Sequence, residues 1–446
     1  MAGDDKRIGG ALAAAAFGLL GVGGPGRAPA AEPQNGSHDW NVDTAFLYYG
    51  ESDNRVQDVS LSAIAVRDFG DDRKFALDLG LDTLTGASPN GAIASDLPQT
   101  FTSPSGRGTY ATPAGAVPLD SSFHDSRFAF NASWSQPLAR LYTVNAGIGV
   151  STEFDYQHLG VNAGLTRDFN ERNTTLSLSL AYAQDQVKPV GGVPVAFSAM
   201  PDAVPHEEGS PLNRSGNSSN KNVLDVLVGF TQVLGRHSLL RLNYSYSDSN
   251  GYLTDPYKVL TVVDPLTGEP LVRTPPPGTE GPTGLYLFEN RPDSRKRQGV
   301  YAELRQDFSG KVLSLGYRYS TDDWNVDSHT LEARLLFPMG ESSYLEPHLR
   351  YYTQTAASFY RYSLASDGTL PAFASADARL ADMDAYTVGL KYARQTSGGN
   401  EWNARLELYH QVSTPPLATL IGNQAANLKM PDFDAVILQF GYHFSL

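Results

Sequence analysis

The chain contains no cysteine in 446 residues. That absence removes disulfides, thiolate metal sites, covalent haem attachment and cysteine catalysis together. Long apolar runs are also missing: beyond residue 31 no stretch could cross a membrane as a helix, and the mean hydropathy is −0.30. A bundle of transmembrane helices is therefore excluded. Net positive charge is lacking too. The formal charge of −14 rules out a general nucleic-acid binder, which needs a basic surface against phosphates. No solenoid period is present. What the chain does have is 42 glycines, 23 tyrosines and a persistent alternation of apolar and polar residues.

The alternation is clearest from Arg295 to Gln354, which reads as two adjacent β-hairpins. One face carries Val300, Ala302, Leu304, Leu313, Leu315, Tyr317, Tyr319, Leu331, Ala333, Leu335, Leu345, Leu349 and Tyr351. The opposite face carries Glu303, Arg305, Arg318, Glu332, Arg334, Glu346, His348 and Arg350. Successive side chains on a strand point to opposite sides, so this sheet has one apolar and one charged surface. No helical segment of suitable length is available to cover the apolar side. Lipid is the simplest remaining partner.

Sixteen alternating segments of about ten residues follow one another along the chain. They lie near 39–49, 57–68, 74–85, 124–134, 141–151, 156–167, 174–185, 222–233, 238–248, 295–306, 311–320, 326–336, 343–354, 383–393, 401–411 and 433–446. Ile64 and Val66 break the pattern of the second. Connections after even-numbered segments are short, whereas those at 86–123, 186–221, 249–294, 355–382 and 412–432 are long and in part proline-rich. Proline lacks the donor a strand ladder needs, so these stretches read as loops. The expected fold is an all-β antiparallel transmembrane barrel of about 16 strands, with short periplasmic turns and long extracellular loops. Tyr48, Tyr182, Tyr246, Tyr319, Tyr351 and Tyr409 fall near one end of the segments. Phe69, Trp134, Phe169, Phe308, Phe337 and Phe444 fall near the other, which gives two interfacial bands.

The termini fit export and insertion. Lys6 and Arg7 precede the apolar run Ile8 to Val22, and Ala28-Pro29-Ala30 follows, the pattern of a cleaved signal peptide over residues 1–30. The run is glycine-rich and shorter than the roughly 20 residues of a spanning helix. The barrel then occupies 31–446, with both ends on the short-turn side and no plug domain before the first strand. Leu438, Phe440, Tyr442, Phe444 and Leu446 share one face of the last segment; such a strand looks like the signal read by the outer-membrane insertion machinery. Around the short turns, Arg67-Asp68-Phe69-Gly70-Asp71 is echoed by Arg167-Asp168-Phe169-Asn170-Glu171 and, more weakly, by Arg305-Gln306-Asp307-Phe308-Ser309-Gly310, which reads as a recurring turn with an interfacial Phe and not as a functional repeat.

Short motifs add a resemblance. With Gly251-Tyr252, Asp255-Pro256-Tyr257-Lys258, Glu289-Asn290-Arg291-Pro292-Asp293-Ser294-Arg295, Asp323-Trp324, Ser328-His329-Thr330 and Arg350-Tyr351-Tyr352, the chain resembles the bacterial family catalogued as domain of unknown function 3570. The resemblance extends over nearly all of the mature chain. It implies an outer-membrane barrel and carries no catalytic residue across.

The candidate functional surface is the charged face. Glu303 with Arg305, Glu332 with Arg334, and Glu346 with His348 and Arg350 sit at i, i+2 spacing on adjacent strands, and Arg318, Lys391, Arg405 and Glu407 extend the set. Arginine facing mid-bilayer lipid costs roughly 2–4 kcal/mol, so this face must be the lumen. There it is a selective constriction, a docking surface for a charged partner, or a wet wall that merely satisfies itself. Asp78, Asp82, Arg127, Asn145, Asn162, Arg241 and Asn243 line a sparser half. His348 and His443 point inward by parity, but spacing forces no ligand cluster, so no metal or cofactor is expected. His206, His329 and His410 define no catalytic constellation, and an enzyme is not expected. Asp255, Asp264 and the Glu289 to Arg295 segment suit turns and salt bridges more than a cation site. A pore for small polar or charged solutes is the first expectation. A non-conducting scaffold for a periplasmic or surface partner is the second.

Overall fold

The computed structural model describes residues 40–104, 108–201, 213–273 and 283–446; the signal peptide predicted over 1–30 lies outside them. Sixteen strands form one closed antiparallel barrel in sequence order. They are β1 (Trp40–Glu51), β2 (Gln57–Asp68), β3 (Lys74–Pro89), β4 (Leu119–Ala139), β5 (Tyr142–Thr152), β6 (Tyr156–Phe169), β7 (Thr174–Val187) and β8 (Ser219–Gly235). The second half comprises β9 (Ser238–Gly251), β10 (Ser294–Phe308), β11 (Lys311–Asp322), β12 (Asp327–Met339), β13 (Ser343–Gln354), β14 (Asp382–Gln395), β15 (Glu401–Thr414) and β16 (Phe433–Ser445). Closure comes from β1 against β16, with Phe46 opposite Phe440 and Tyr48 opposite Leu438.

Parity assigns the two faces. Leu61, Leu81, Val161, Leu331, Leu349, Val388, Leu408 and Phe440 stand exposed on the outside, Val388 at 57%. So much exposed aliphatic surface is unfavourable in water and matches a hydrocarbon band. Aromatics edge it. At the short-turn end Phe69, Phe75, Trp134 and Trp40 pack with centroids 5.4–6.3 Å apart; at the loop end Tyr351 meets Tyr386 at 5.1 Å. The irregular second segment is a regular strand. Ile64 and Val66 take the inward positions of β2 beside Asp43 and Asn41 of β1, so they line the lumen and do not break the ladder.

The long connections depart from expectation. They are not structureless loops: Val259–Val263 pairs with Tyr286–Phe288 and, in parallel, with Leu364–Ala365, and Gln99–Thr102 pairs with Thr109–Thr112. Every residue of Val259–Val263 is buried. The prolines suggested loop throughout, but this β-branched run lies between them and forms a central strand. Around it, Phe101, Tyr286 and Phe288 form one apolar cluster and Leu364, Ala374 and Ala376 another, while Trp324, Phe359, Tyr360 and Leu380 form a separate one. The apolar core of the protein therefore sits in its loops, not inside its barrel.

This layer bridges the mouth. Segment 252–293 leaves from between β9 and β10, yet the amide of Val259 donates to the Asn90 carbonyl beyond β3 at 2.9 Å. Gln424, between β15 and β16, donates to the Gly268 carbonyl at 3.0 Å. Both contacts lie about six strands away around the ring, on opposite sides. Glycines permit both approaches: a Cβ on Gly91, at φ +91°, would stand 2.6 Å from the Val259 carbonyl oxygen, and one on Gly268, at φ +77°, 2.1 Å from that of Ile421.

Candidate functional site: inner wall and loop cap

The charged residues of β9 to β15 are brought together on one inward face. Glu303 accepts from Arg305 Nε at 2.7 Å and lies 3.4 Å from Arg241 Nη1. Farther round, Arg334 approaches Glu332 at 2.5 Å, His348 lies 3.2 Å from Glu332 and 2.9 Å from Glu407, and Arg405 links Glu407 at 3.3 Å with Glu346 at 3.5 Å. The His348 to Glu407 contact skips a strand. It does so because Gly389 lies between them in register, and a Cβ there would come within 2.8 Å of Glu407 Cγ.

Three cations are left over. Among the described residues Arg318, Arg350 and Lys391 meet no carboxylate within ion-pair distance: Arg318 stands over the Tyr301 ring at 5.4 Å and Lys391 over Tyr344 at 5.3 Å. Arg350 is exposed opposite Glu332 in register. The facing half carries fewer charges, among them Asp225 of β8, which faces inward level with Ala181 and Asn162 and makes no salt bridge among the described residues. Arg127 and Asp82 pair at 2.5 Å, and Asp78 accepts from Asn131 at 3.2 Å. Around Asn145 and Asn162, Gly147, Gly149, Gly160 and Gly164 keep the wall thin. His443 bonds Asp43 at 2.7 Å. His329 and His410 sit on outward positions against Tyr317 and Asp434, and His206 lies outside the described residues.

A second constellation occupies the cap. Arg291 bridges Glu289 at 2.6 Å and Asp377 at 2.7 Å; Arg379 bridges Asp377 and, at 2.7 Å, Asp255. Asp255 also donates its amide to Glu289 at 2.7 Å, and Ser375 donates its hydroxyl to Glu289. Lys258 reaches the Pro89 carbonyl. The two loop motifs, Asp255 to Lys258 and Glu289 to Arg295, thus meet in space with the 375–379 segment and act as internal salt bridges. Asp264 caps a turn, accepting the amides of Leu266 and Thr267 at 2.9 Å.

Burial pushes the Asp377 carboxyl up, but Arg379, Lys258 and Arg291 outweigh it and hold the group well below the usual range. Burial dominates at Glu289, where Arg291 offsets only part of it and the Asp255 and Asp377 charges add to it, so the carboxyl rises to about 7. A raised acid value means the closed cap holds the proton more tightly than the opened one. The stabilisation is complete below the ordinary carboxylate value near 4.5 and is lost as pH rises through 7. Amide exchange across 252–273, corrected for intrinsic rates, is expected to be slower at pH 5 than at pH 8. Equal protection at both would contradict this.

Between the cap and the upper ends of β1, β3, β4 and β15 lies a cavity of about 390 Å³. Tyr257, Tyr360 and Phe433 line it, and Asp125, Glu153 and Asp155 contribute oxygens within 4.8 Å of one another. Such a set could hold a divalent cation. Spacing could not reveal it, because it joins the start of β4 to the β5–β6 connection.

No curated protein matches the chain. Solved structures with a similar barrel include a bacterial polysaccharide outer membrane secretin (10% identity, 92% of this chain and 100% of that one, TM-score 0.44). A CymD monoaromatic hydrocarbon channel shares 8% identity over 92% of this chain and 89% of that one, TM-score 0.39. The siderophore receptor PirA from Acinetobacter baumannii shares 10% identity over 85% of this chain, which spans 53% of the receptor, TM-score 0.40. Sequence is the decisive comparison. The profile described as "Protein of unknown function (DUF3570)" matches residues 9–444, so this transmembrane barrel belongs to that family.

Proposed function

We propose that the protein is an outer-membrane passage for small charged solutes, favouring anions, whose outer mouth is covered by its own loops. The observation that carries this reading is the unequal inner wall. Each of Glu303, Glu332, Glu346 and Glu407 has a cationic neighbour, while among the described residues Arg318, Arg350 and Lys391 have no carboxylate within ion-pair distance. Paired charges make a wet surface of little net field, and the excess cations set the sign of the solute. Export through a signal peptide over 1–30 and insertion through β16 belong to the same proposal, and no catalytic role does.

In planar bilayers under a KCl gradient, the protein is expected to conduct with a zero-current potential of anion-selective sign. Replacing Arg318, Arg350 and Lys391 by glutamine should move it toward zero. A bilayer that stays closed for both the native chain and a variant with the cap released sinks the passage reading. The bridged mouth favours one other reading, a closed barrel anchoring a periplasmic or surface partner. Stoichiometric co-purification of that partner would then accompany the closed bilayer.

A further inference from the structure

The turn motif that recurs in the sequence acquires a role from the face its arginines occupy. Arg67 and Arg167 lie on outward positions of β2 and β6, in line with Leu61 and Val161 and at the short-turn edge of the apolar band. Their cross-strand neighbours are Trp40 and Phe75 for Arg67, and Tyr142 and Leu176 for Arg167. Each guanidinium stands between two rings. Arg67 is 5.9 Å from Trp40 and 5.1 Å from Phe69; Arg167 is 5.1 Å from Tyr142 and 4.4 Å from Phe169.

Neither has a carboxylate partner within 4 Å among the described residues, and Arg67 Nε is buried without an acceptor. The aspartate that follows each arginine points to the other face: Asp68 lies 3.5 Å from Lys74 and Asp168 3.8 Å from Arg172. Two uncompensated cations therefore face lipid at headgroup depth. A guanidinium stacked on aromatic rings keeps its in-plane N–H groups for a second partner, and a phosphate fits that fork with two parallel bonds.

We propose that Arg67 and Arg167 each bind the phosphate of a phospholipid headgroup in the periplasmic leaflet, with the flanking aromatic rings holding the guanidinium in place. Two sites are expected and not three. In the weaker third echo Arg305 points inward to Glu303, leaving Gln306 on the outward position.

The test is native mass spectrometry of the full barrel in detergent, titrated with phosphatidylglycerol and, separately, with inorganic phosphate. The native chain should retain two phosphatidylglycerol molecules that millimolar inorganic phosphate does not displace. Arg67→Gln and Arg167→Gln should each weaken one site about fivefold, the equivalent of about 1 kcal/mol per basic residue at an anionic surface. The double variant should retain none above background. Lysine at both positions keeps the charge, loses the fork, and should bind at an intermediate level, which separates lipid recognition from any folding defect. Unchanged retention in the double glutamine variant overturns the proposal. Displacement of the lipid by inorganic phosphate overturns it in favour of a soluble phosphate site.

Discussion

Arg291→Ala is expected to release the loop cap while leaving the barrel intact. Arg291 is nearly shut off from solvent, and it joins Glu289 at 2.6 Å to Asp377 at 2.7 Å. Its removal leaves Glu289 with no guanidinium beside it in a place where burial already drives the carboxyl up. Breaking a buried pair by deleting one partner costs about 3–5 kcal/mol where the other charge stays behind unpaired; that holds well above pH 7, and at lower pH protonation of Glu289 relieves part of the cost. The full cost is enough to open a unit held by a few small apolar clusters. Amide exchange should rise in 252–273 and 355–381 and stay slow in β10 to β13. Bilayer conductance should rise in the same variant. A companion, Arg291→Met with Glu289→Met, removes both charges and should recover part of the loss, since Asp377 keeps Arg379 at 2.5 Å. Equal destabilisation by the single and double variants would show that the pair is not what holds the cap.

The cap also marks the limit of what the sequence reveals. Strands of a lipid-facing barrel are legible because each residue answers to one neighbour: lipid outside or water inside, with period two. β2 and β13 fall on their expected bounds for that reason; β1, β7, β8, β9, β11 and β15 extend by two or three residues into the mouth, and β6, β10, β12 and β14 by two or three at the short-turn end. β4 is longer at both ends, because Leu119 and Asp120 continue the ladder onto Pro89 and Ser88 after a register shift. Contacts between loops obey no period. Nothing in Val259–Val263 announces a partner at Leu364–Ala365, and nothing in Glu289 points to Asp377. The charged wall was legible residue by residue. Its pairing was not, since the reach from His348 to Glu407 depends on a glycine in a third strand.

The sharpest test of the architecture lies in two neighbouring residues of β6. Ala163 is exposed on the outer face between the level of Tyr182 and the Phe169 turn, with Ala146 and Leu180 beside it in register. Asn162 points the other way, between Gly147 and Ala181. Ala163→Arg puts a cation into hydrocarbon and is expected to cost roughly 2–4 kcal/mol, the range for arginine at the bilayer midplane. Asn162→Arg puts the same side chain into the lumen, where the glycines around it leave space, and should cost within about 1 kcal/mol. Reversible urea unfolding in lipid vesicles reads both. The asymmetry between adjacent positions is the informative quantity: a loop would not produce it, and reading it in lipid vesicles ties the outer cost to hydrocarbon. Asn162→Arg also adds a cation across from the Arg318, Arg350 and Lys391 wall. If that wall sets solute sign, the inward variant should raise anion preference in the bilayer while the outward one leaves it unchanged. Equal costs for the two substitutions would mean that the faces are assigned wrongly, and the lumen with them.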